Sequence, residues 1–175
     1  KSVSIPGLSQ NIGTTCLSGD TEIAMGDGSF AAIESLVGAA PFEVVSVDAD
    51  GKATIEVARD ARPTIEDDVL AVYLSNGRVV RSNRTHKFRL LDGDWLAAGE
   101  LQPGTALTPC EGAEGPHIEV VKVVPTGSRE QLYDLTVDAT HCFGLSSGVI
   151  VHNSSATNSG YGARIGEYQK EIKEA

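Results

Sequence analysis

The sequence predicts an all-β domain. Glycine occurs 19 times and proline 7 times in 175 residues, and short runs of β-branched and aromatic residues recur between turn-forming clusters. Helical patterning is confined to brief segments. With 41% hydrophobic, 5% aromatic and 22% charged residues, the composition fits one ordinary folded domain with flanking sequence. It does not fit a disordered tail, a collagen or a coiled coil.

Taken in order, the predicted strands run from Phe42 to Val47, Thr54 to Ala58, Val69 to Leu74, Arg78 to Ser82, Ile118 to Val124, Leu132 to Val137 and Val149 to His152. Two hairpins follow from turn chemistry. Asp48-Ala49-Asp50-Gly51 and Ser75-Asn76-Gly77 each supply residues that tolerate positive φ between two strand-like runs. Helix is expected over Ala31 to Val37, Trp95 to Leu101, and Arg164 to Ala175, where Ile165, Tyr168 and Ile172 share a face. None is long enough to organise a fold, so the core must come from sheets. Its expected members are Ile23, Val44, Val47, Ile55, Val57, Val72, Val79, Val121, Val123, Leu135, Val137, Ile150 and Val151. No internal repeat is evident.

Fourteen basic residues against twenty-four acidic ones give a net charge of −10, which disfavours binding to nucleic acid. No apolar run approaches the ~20 residues that span a bilayer, and residues 1 to 9 lack the apolar stretch of a secretory signal. The expectation is a soluble, cytoplasmic monomer without membrane or nucleic-acid partners. Three cysteines, Cys16, Cys110 and Cys142, lack CxxC spacing, so neither a disulfide framework nor a metal site is indicated. At least one thiol is free.

The chemistry-bearing residues cluster at the two ends of the β-rich region. Cys16-Leu17-Ser18-Gly19-Asp20-Thr21-Glu22-Ile23 opens it, and the apolar strand Val149-Ile150-Val151 runs into His152-Asn153-Ser154 at its close. Between them stand Gly77 to His86 and Tyr133-Asp134-Leu135-Thr136-Val137 followed by His141. A peptide bond resists attack, and cleaving it without outside help needs a nucleophile held against its carbonyl. Cys16 directly follows the Thr15 carbonyl. An asparagine before a hydroxyl residue supplies a second cleavage route, because its side-chain amide can close on its own backbone carbonyl.

This arrangement resembles an intein, the self-excising element of protein splicing, and specifically a mini-intein without a homing endonuclease. The resemblance covers residues 16 to 153. It implies a horseshoe-like, pseudo-twofold HINT fold, with residues 1–15 as the N-extein, 16–153 as the splicing domain and 154–175 as the C-extein. The chemistry it implies is single-turnover. Cys16 attacks Thr15, Ser154 takes over the acyl group, Asn153 cyclises, and Thr15 is joined to Ser154. By resemblance, His86 protonates the nitrogen leaving from Cys16, and Asp134 coordinates the first and middle steps. His141 and His152 assist Asn153. The only partners are the exteins in cis, and no cofactor is needed.

One block departs from the family pattern, with Asn83 standing where a threonine is expected three residues before His86. Asn83 can still hydrogen-bond the backbone near Thr15, with a different reach, and a slower first step is expected. Cys110 reads as a loop thiol without a role and Cys142 as core packing beside the site, and the alternative is a redox gate in which Cys110 or Cys142 pairs with Cys16. The terminal strands are expected side by side at the centre of a sheet. An alternative is a hedgehog-type or bacterial intein-like domain, which shares the fold and Cys16 but cleaves without ligating; His152-Asn153-Ser154 favours full splicing.

Overall fold

A computed structural model describes residues 15–154. Those residues form twelve strands and two short 3-10 turns, with no α-helix among them. The strands are β1 (Leu17–Ser18), β2 (Glu22–Ala24), β3 (Phe30–Ala32), β4 (Phe42–Val47), β5 (Ala53–Leu74), β6 (Val79–Ser82), β7 (Lys87–Arg89), β8 (Trp95–Ala97), β9 (Ala106–Leu107), β10 (Ile118–Val137), β11 (Cys142–Gly144) and β12 (Ile150–His152). A six-stranded sheet has the order β4-β5-β6-β1-β10-β9, and β5 also pairs directly with β10. A four-stranded sheet has the order β11-β12-β7-β8, and β2 and β3 form a ribbon of their own. Among the described residues no helix is long and apolar enough to cross a membrane.

Both predicted hairpins form. At the first, Asp48 Oδ1 accepts the amide hydrogens of Asp50 and Lys52, both at 2.9 Å, and Gly51 takes φ 82°. At the second, Gly77 takes φ 85° and its N–H donates to the Leu74 carbonyl at 3.0 Å. β4 has the predicted limits.

The two long strands differ from expectation. The runs Thr54 to Ala58 and Val69 to Leu74 are the ends of one 22-residue strand, β5, and Ile118 to Val124 and Leu132 to Val137 belong to one 20-residue strand, β10. The intervening stretches are polar and contain Pro63 and Pro125, so they read as loops. They stay extended because β5 and β10 pair along their length, with register shifts that let the ribbon bend. Expected helices at Ala31 to Val37 and Trp95 to Leu101 prove to be strand ends running into 3-10 turns at Ile33–Leu36 and Ala98–Glu100. Each is a single turn with no side-chain cap. The segment Arg164 to Ala175 lies outside the described residues.

An internal repeat, unseen in the sequence, governs the fold. The β2–β3 ribbon with its 3-10 turn and the β7–β8 ribbon with its own share one set of backbone bonds at a constant offset. Met25 N–H to Ser29 O is matched by Leu90 to Asp94, Ile33 to Thr21 by Ala98 to His86, and Glu34 to Gly19 by Gly99 to Arg84. Asp27 and Asp92 each turn the chain by accepting a backbone N–H two residues on, at 2.9 Å. Few side chains coincide between the halves, so the pseudo-twofold relation is carried by backbone geometry.

The main core gathers Leu17, Ile23, Ile33, Val44, Phe88 and Phe143 with residues of β5, β10 and β12. Four expected core members are instead on open faces: Ile55 (49% exposed), Val57 (55%), Val79 (40%) and Val121 (49%). In the pairs Val79-Val80 and Val120-Val121 both residues are apolar, so alternation cannot say which faces inward, and it is Val80 and Val120 that do. Ile55 and Val57 serve the strand backbone without burial. Truncating the fully buried Phe143 to Ala should therefore cost about 3–5 kcal/mol in urea denaturation, whereas Ile55→Ala should stay within about 0.5 kcal/mol of the parent.

The terminal strands do not lie side by side. β1 sits between β6 and β10 in the larger sheet, and β12 sits between β11 and β7 in the smaller one. Contact is made just outside the strands, where Thr15 meets Ser154.

Candidate active site

The end of β10 holds both chain junctions. Tyr133 pairs with Leu17 and Leu132 with Ser18, which fixes the strand following Cys16. The next residues along receive the other end: Asp134 Oδ2 accepts the Ser154 N–H at 3.0 Å, and the Val137 N–H donates to Asn153 Oδ1 at 3.0 Å. One strand thus aligns positions remote in sequence.

At the first junction, Asn83 clasps Cys16 on two sides. Its Oδ1 accepts the Cys16 N–H at 3.3 Å, and its own N–H donates to the Cys16 carbonyl at 3.1 Å. Its Nδ2 donates to Asp67 Oδ2 at 3.4 Å, which sets the amide's orientation. The backbone contact expected of Asn83 is thus made, on the nitrogen of the Thr15–Cys16 peptide bond. Cys16 Sγ lies 2.9 Å from Thr64 Oγ1, in a small apolar cluster with Val69, Leu132 and Ile65. Burial pushes the thiol up to about 12, assisted by Asp134 and Asp67, against the opposing pull of Thr64 and Arg62.

Ser154 closes the gap between junctions. Its hydroxyl donates to the Thr15 carbonyl at 3.2 Å and accepts the Thr15 N–H at 3.1 Å, across 139 positions of chain. Thr15 is buried, and its hydroxyl contacts Ser154 Oγ at 3.1 Å and the His152 carbonyl at 3.4 Å. Asn153 is buried too. Besides its bond from Val137, it donates its N–H to the His141 carbonyl at 3.0 Å and its Nδ2 to the Ser154 carbonyl at 2.7 Å.

The acid–base groups differ sharply in surroundings. Asp134 is enclosed, and burial raises its carboxyl to about 6, opposed by Arg62 at 3.6 Å and by the Ser154 N–H. His86 is fully enclosed and packs edge-on against Phe88, and among the described residues neither of its ring nitrogens has a hydrogen-bond partner. Desolvation, then the neighbouring His152, lowers it to about 3. His152 is half-buried and also lowered by desolvation; it meets Trp95 edge-on at 4.8 Å and stacks with His141 at 6.5 Å. His141 is exposed and takes φ 60°, a left-handed conformation that turns its carbonyl onto Asn153.

Cys110 and Cys142 stand apart from this centre. Both belong to a cluster around Val47, Ile150 and Trp95, and all three thiols are free. The alternative of redox pairing with Cys16 is not realised in this structure, where Cys16 packs in a different cluster with residues of β5 and β10. Cys142 is core packing, its Sγ 3.4 Å from Ser46 Oγ. Sequence reading missed Arg62, Thr64 and Asp67, which lie in the polar middle of β5 with no motif to mark them, and Trp95, the only tryptophan in the chain.

Comparison with solved structures agrees with this architecture. The chain is similar to the DnaB intein from Synechocystis sp. PCC 6803, with a TM-score of 0.72 and 26% identity over 81% of this chain and 99% of that one. It is similar to the Ssp DnaB mini-intein variant M86, with a TM-score of 0.73 and 24% identity over 81% and 95%. It is also similar to a bacterial intein-like domain from Clostridium thermocellum, with a TM-score of 0.63 and 23% identity over 80% and 99%. No protein-family model matches the sequence, and no curated protein matches it. The fold is the HINT fold, the architecture of protein-splicing domains. In fold the chain is similar to these mini-inteins over about four-fifths of its length.

The raised Asp134 carboxyl makes stability depend on pH. Its value of about 6 in the folded state stands above the ordinary 3.8, so the native protein binds the extra proton between those limits. Stability from this group is complete below about pH 4 and falls by about 3 kcal/mol as pH rises through 6. His86, lowered to about 3, contributes an opposite, rising slope over the same range in parent and variant alike, so the expected readout is the difference: the stability of the parent relative to Asp134→Asn, from urea denaturation, should fall by about 3 kcal/mol between pH 4 and pH 7.

Proposed function

We propose that the chain is a self-splicing mini-intein in which residues 1–15 and 154–175 are the exteins and 16–153 the excised domain. The observation that carries the reading is the hydroxyl of Ser154 hydrogen-bonded at 3.2 Å to the Thr15 carbonyl it would attack. Holding two groups this remote in sequence within hydrogen-bond reach of one another removes much of the entropic cost of bringing them together.

In the first step Cys16 Sγ bonds to the Thr15 carbonyl carbon and the Thr15–Cys16 C–N bond breaks. The proton leaving sulfur needs an acceptor, and the leaving nitrogen needs a proton. With the thiol at about 12, Asp134 at about 6 and His86 at about 3, transfer from sulfur costs about 8 kcal/mol toward Asp134 and about 12 kcal/mol toward His86. Asp134 is also the carboxylate whose charge acts more strongly on the thiol, ahead of Asp67. It is therefore the preferred acceptor, and His86, neutral, hands its ring proton to the leaving nitrogen while being reprotonated by the proton Asp134 took from sulfur, so that no net proton is needed; the same ring N–H stabilises the tetrahedral intermediate.

Ser154 Oγ then attacks the thioester, Cys16 Sγ leaves, and a branched ester forms. Asn153 Nδ2 next attacks its own backbone carbonyl carbon, giving a succinimide, and the Ser154 nitrogen departs. That nitrogen's hydrogen bond to Asp134 Oδ2 puts a titrating carboxyl beside the leaving group. His152 would polarise the scissile carbonyl and His141 would move the proton. A final O-to-N shift joins Thr15 to Ser154 by a peptide bond. The turnover is single, because Cys16 and Asn153 end in the excised piece.

Cleavage without ligation is the rival outcome, favoured by the likeness to a bacterial intein-like domain. Mass spectrometry distinguishes the two. Splicing gives a 16–153 fragment ending in a succinimide plus a product joining 1–15 to 154–175; the rival gives unligated flanks. In Asn153→Ala, added thiol should release residues 1–15, and Cys16→Ala in that background should abolish the release.

Asn83 controls the first step in this scheme. Its bond to the Cys16 nitrogen is to be loosened as that nitrogen leaves. Asn83→Thr should change the rate of thioester formation, with an increase expected; an identical rate in a stopped thiol-cleavage series would remove Asn83 from the step.

A further inference from the structure

We propose that the hydroxyl of Thr64 is a catalytic group for Cys16, turning its hydrogen onto the sulfur as the thiolate forms. The proposal rests on the reading of Cys16 as the splicing nucleophile. Thr64 Oγ1 lies 2.9 Å from Cys16 Sγ and 3.0 Å from the Leu132 carbonyl oxygen. A hydroxyl has one hydrogen, so it cannot donate to both at once. In the thiol state the Leu132 carbonyl and the sulfur compete for that one hydrogen, and the carbonyl is the stronger acceptor. Once sulfur is ionised, a thiolate is the stronger acceptor, and rotation about one C–O bond delivers the hydrogen to it with no movement of heavy atoms.

The backbone is shaped to place this hydroxyl. Along the β5–β10 ribbon, Gln131 faces Glu66 and Tyr133 faces Pro63, so Thr64 and Ile65 together oppose the single residue Leu132. This is a β-bulge, the device by which a strand re-aims one side chain out of its ordinary alternation. Among the described residues Thr64 is the sole hydrogen-bond partner of Cys16 Sγ.

The charged groups facing the sulfur make such a donor necessary. Asp134 on β10 and Asp67 on β5 oppose a negative sulfur, and only Arg62 on β5 favours one by charge. The rest of the sulfur's packing is Val69, Leu132 and Ile65, none of which offers a side-chain donor. In the step itself the S–H proton passes to Asp134, sulfur bonds to the Thr15 carbonyl carbon, and the C–N bond to Cys16 breaks as one proton, in the balance the one Asp134 took up, is delivered to the departing nitrogen. Thr64 keeps its own proton throughout.

The test uses the full chain carrying Asn153→Ala, in which thiol-dependent release of residues 1–15 reports the first step alone. Thr64→Val, which keeps the branched shape and loses the hydroxyl, should slow release about ten- to a hundredfold. Thr64→Ser should restore most of the rate, and the urea midpoint identifies any variant slowed by misfolding; Thr64→Ala serves as a second hydroxyl-free variant should Thr64→Val fail to fold. A parent that releases and a folded Thr64→Val that releases as fast overturn the assignment of Thr64 alone, as does slowing that serine fails to rescue. A parent that shows no thiol-dependent release overturns the splicing reading and, with it, the role given to Thr64.

Discussion

The hydrogen bond from Ser154 to the Thr15 carbonyl is the constraint around which the rest of the molecule is organised. It joins points separated by nearly the whole described chain, so loop closure must be secured elsewhere. The β10 strand secures it. Leu132 and Tyr133 hold the segment after Cys16, and Asp134 and Val137 hold Ser154 and Asn153 a few residues further on. Because β10 is itself bound along its length to β5, its tip is stiff enough to set both junctions in register.

Burial gives the centre its electrostatic character. Each of three reactive groups is driven toward its uncharged form, the thiol upward, Asp134 upward and His86 downward. None is poised as a free ion at neutral pH, except that Asp134, near 6, is mostly ionised there. Proton movements must therefore be coupled to bond making. A hydrogen bond that can change partner without heavy atoms moving, as proposed for Thr64, suits such a setting.

The fold class, both hairpins and β4 were legible because turn residues and β-branched runs speak directly to backbone conformation. The middle of β5 was not, since Pro63, Glu66, Asp67 and Asp68 resemble a loop until β10 is paired against them. The repeated ribbons were hidden for a related reason: their identity resides in main-chain bonds, and positions such as Thr21 and His86 occupy equivalent places with unlike side chains. Cys16, His152, Asn153 and Ser154 stood out because their chemistry requires adjacency along the chain. Arg62, Thr64 and Asp67 meet the site across strands, and nothing in their own neighbourhood announces a partner 48 residues away in the case of Thr64 and Cys16.

The contact of Thr15 with Ser154 also bears on what could surround this domain. A polypeptide that enters at one residue and departs at another within bonding distance imposes almost no separation on whatever precedes and follows it. Such a unit can interrupt a surface loop of another protein while leaving that protein's own architecture undistorted, because the ends it presents are already as close as neighbouring residues in a tight bend.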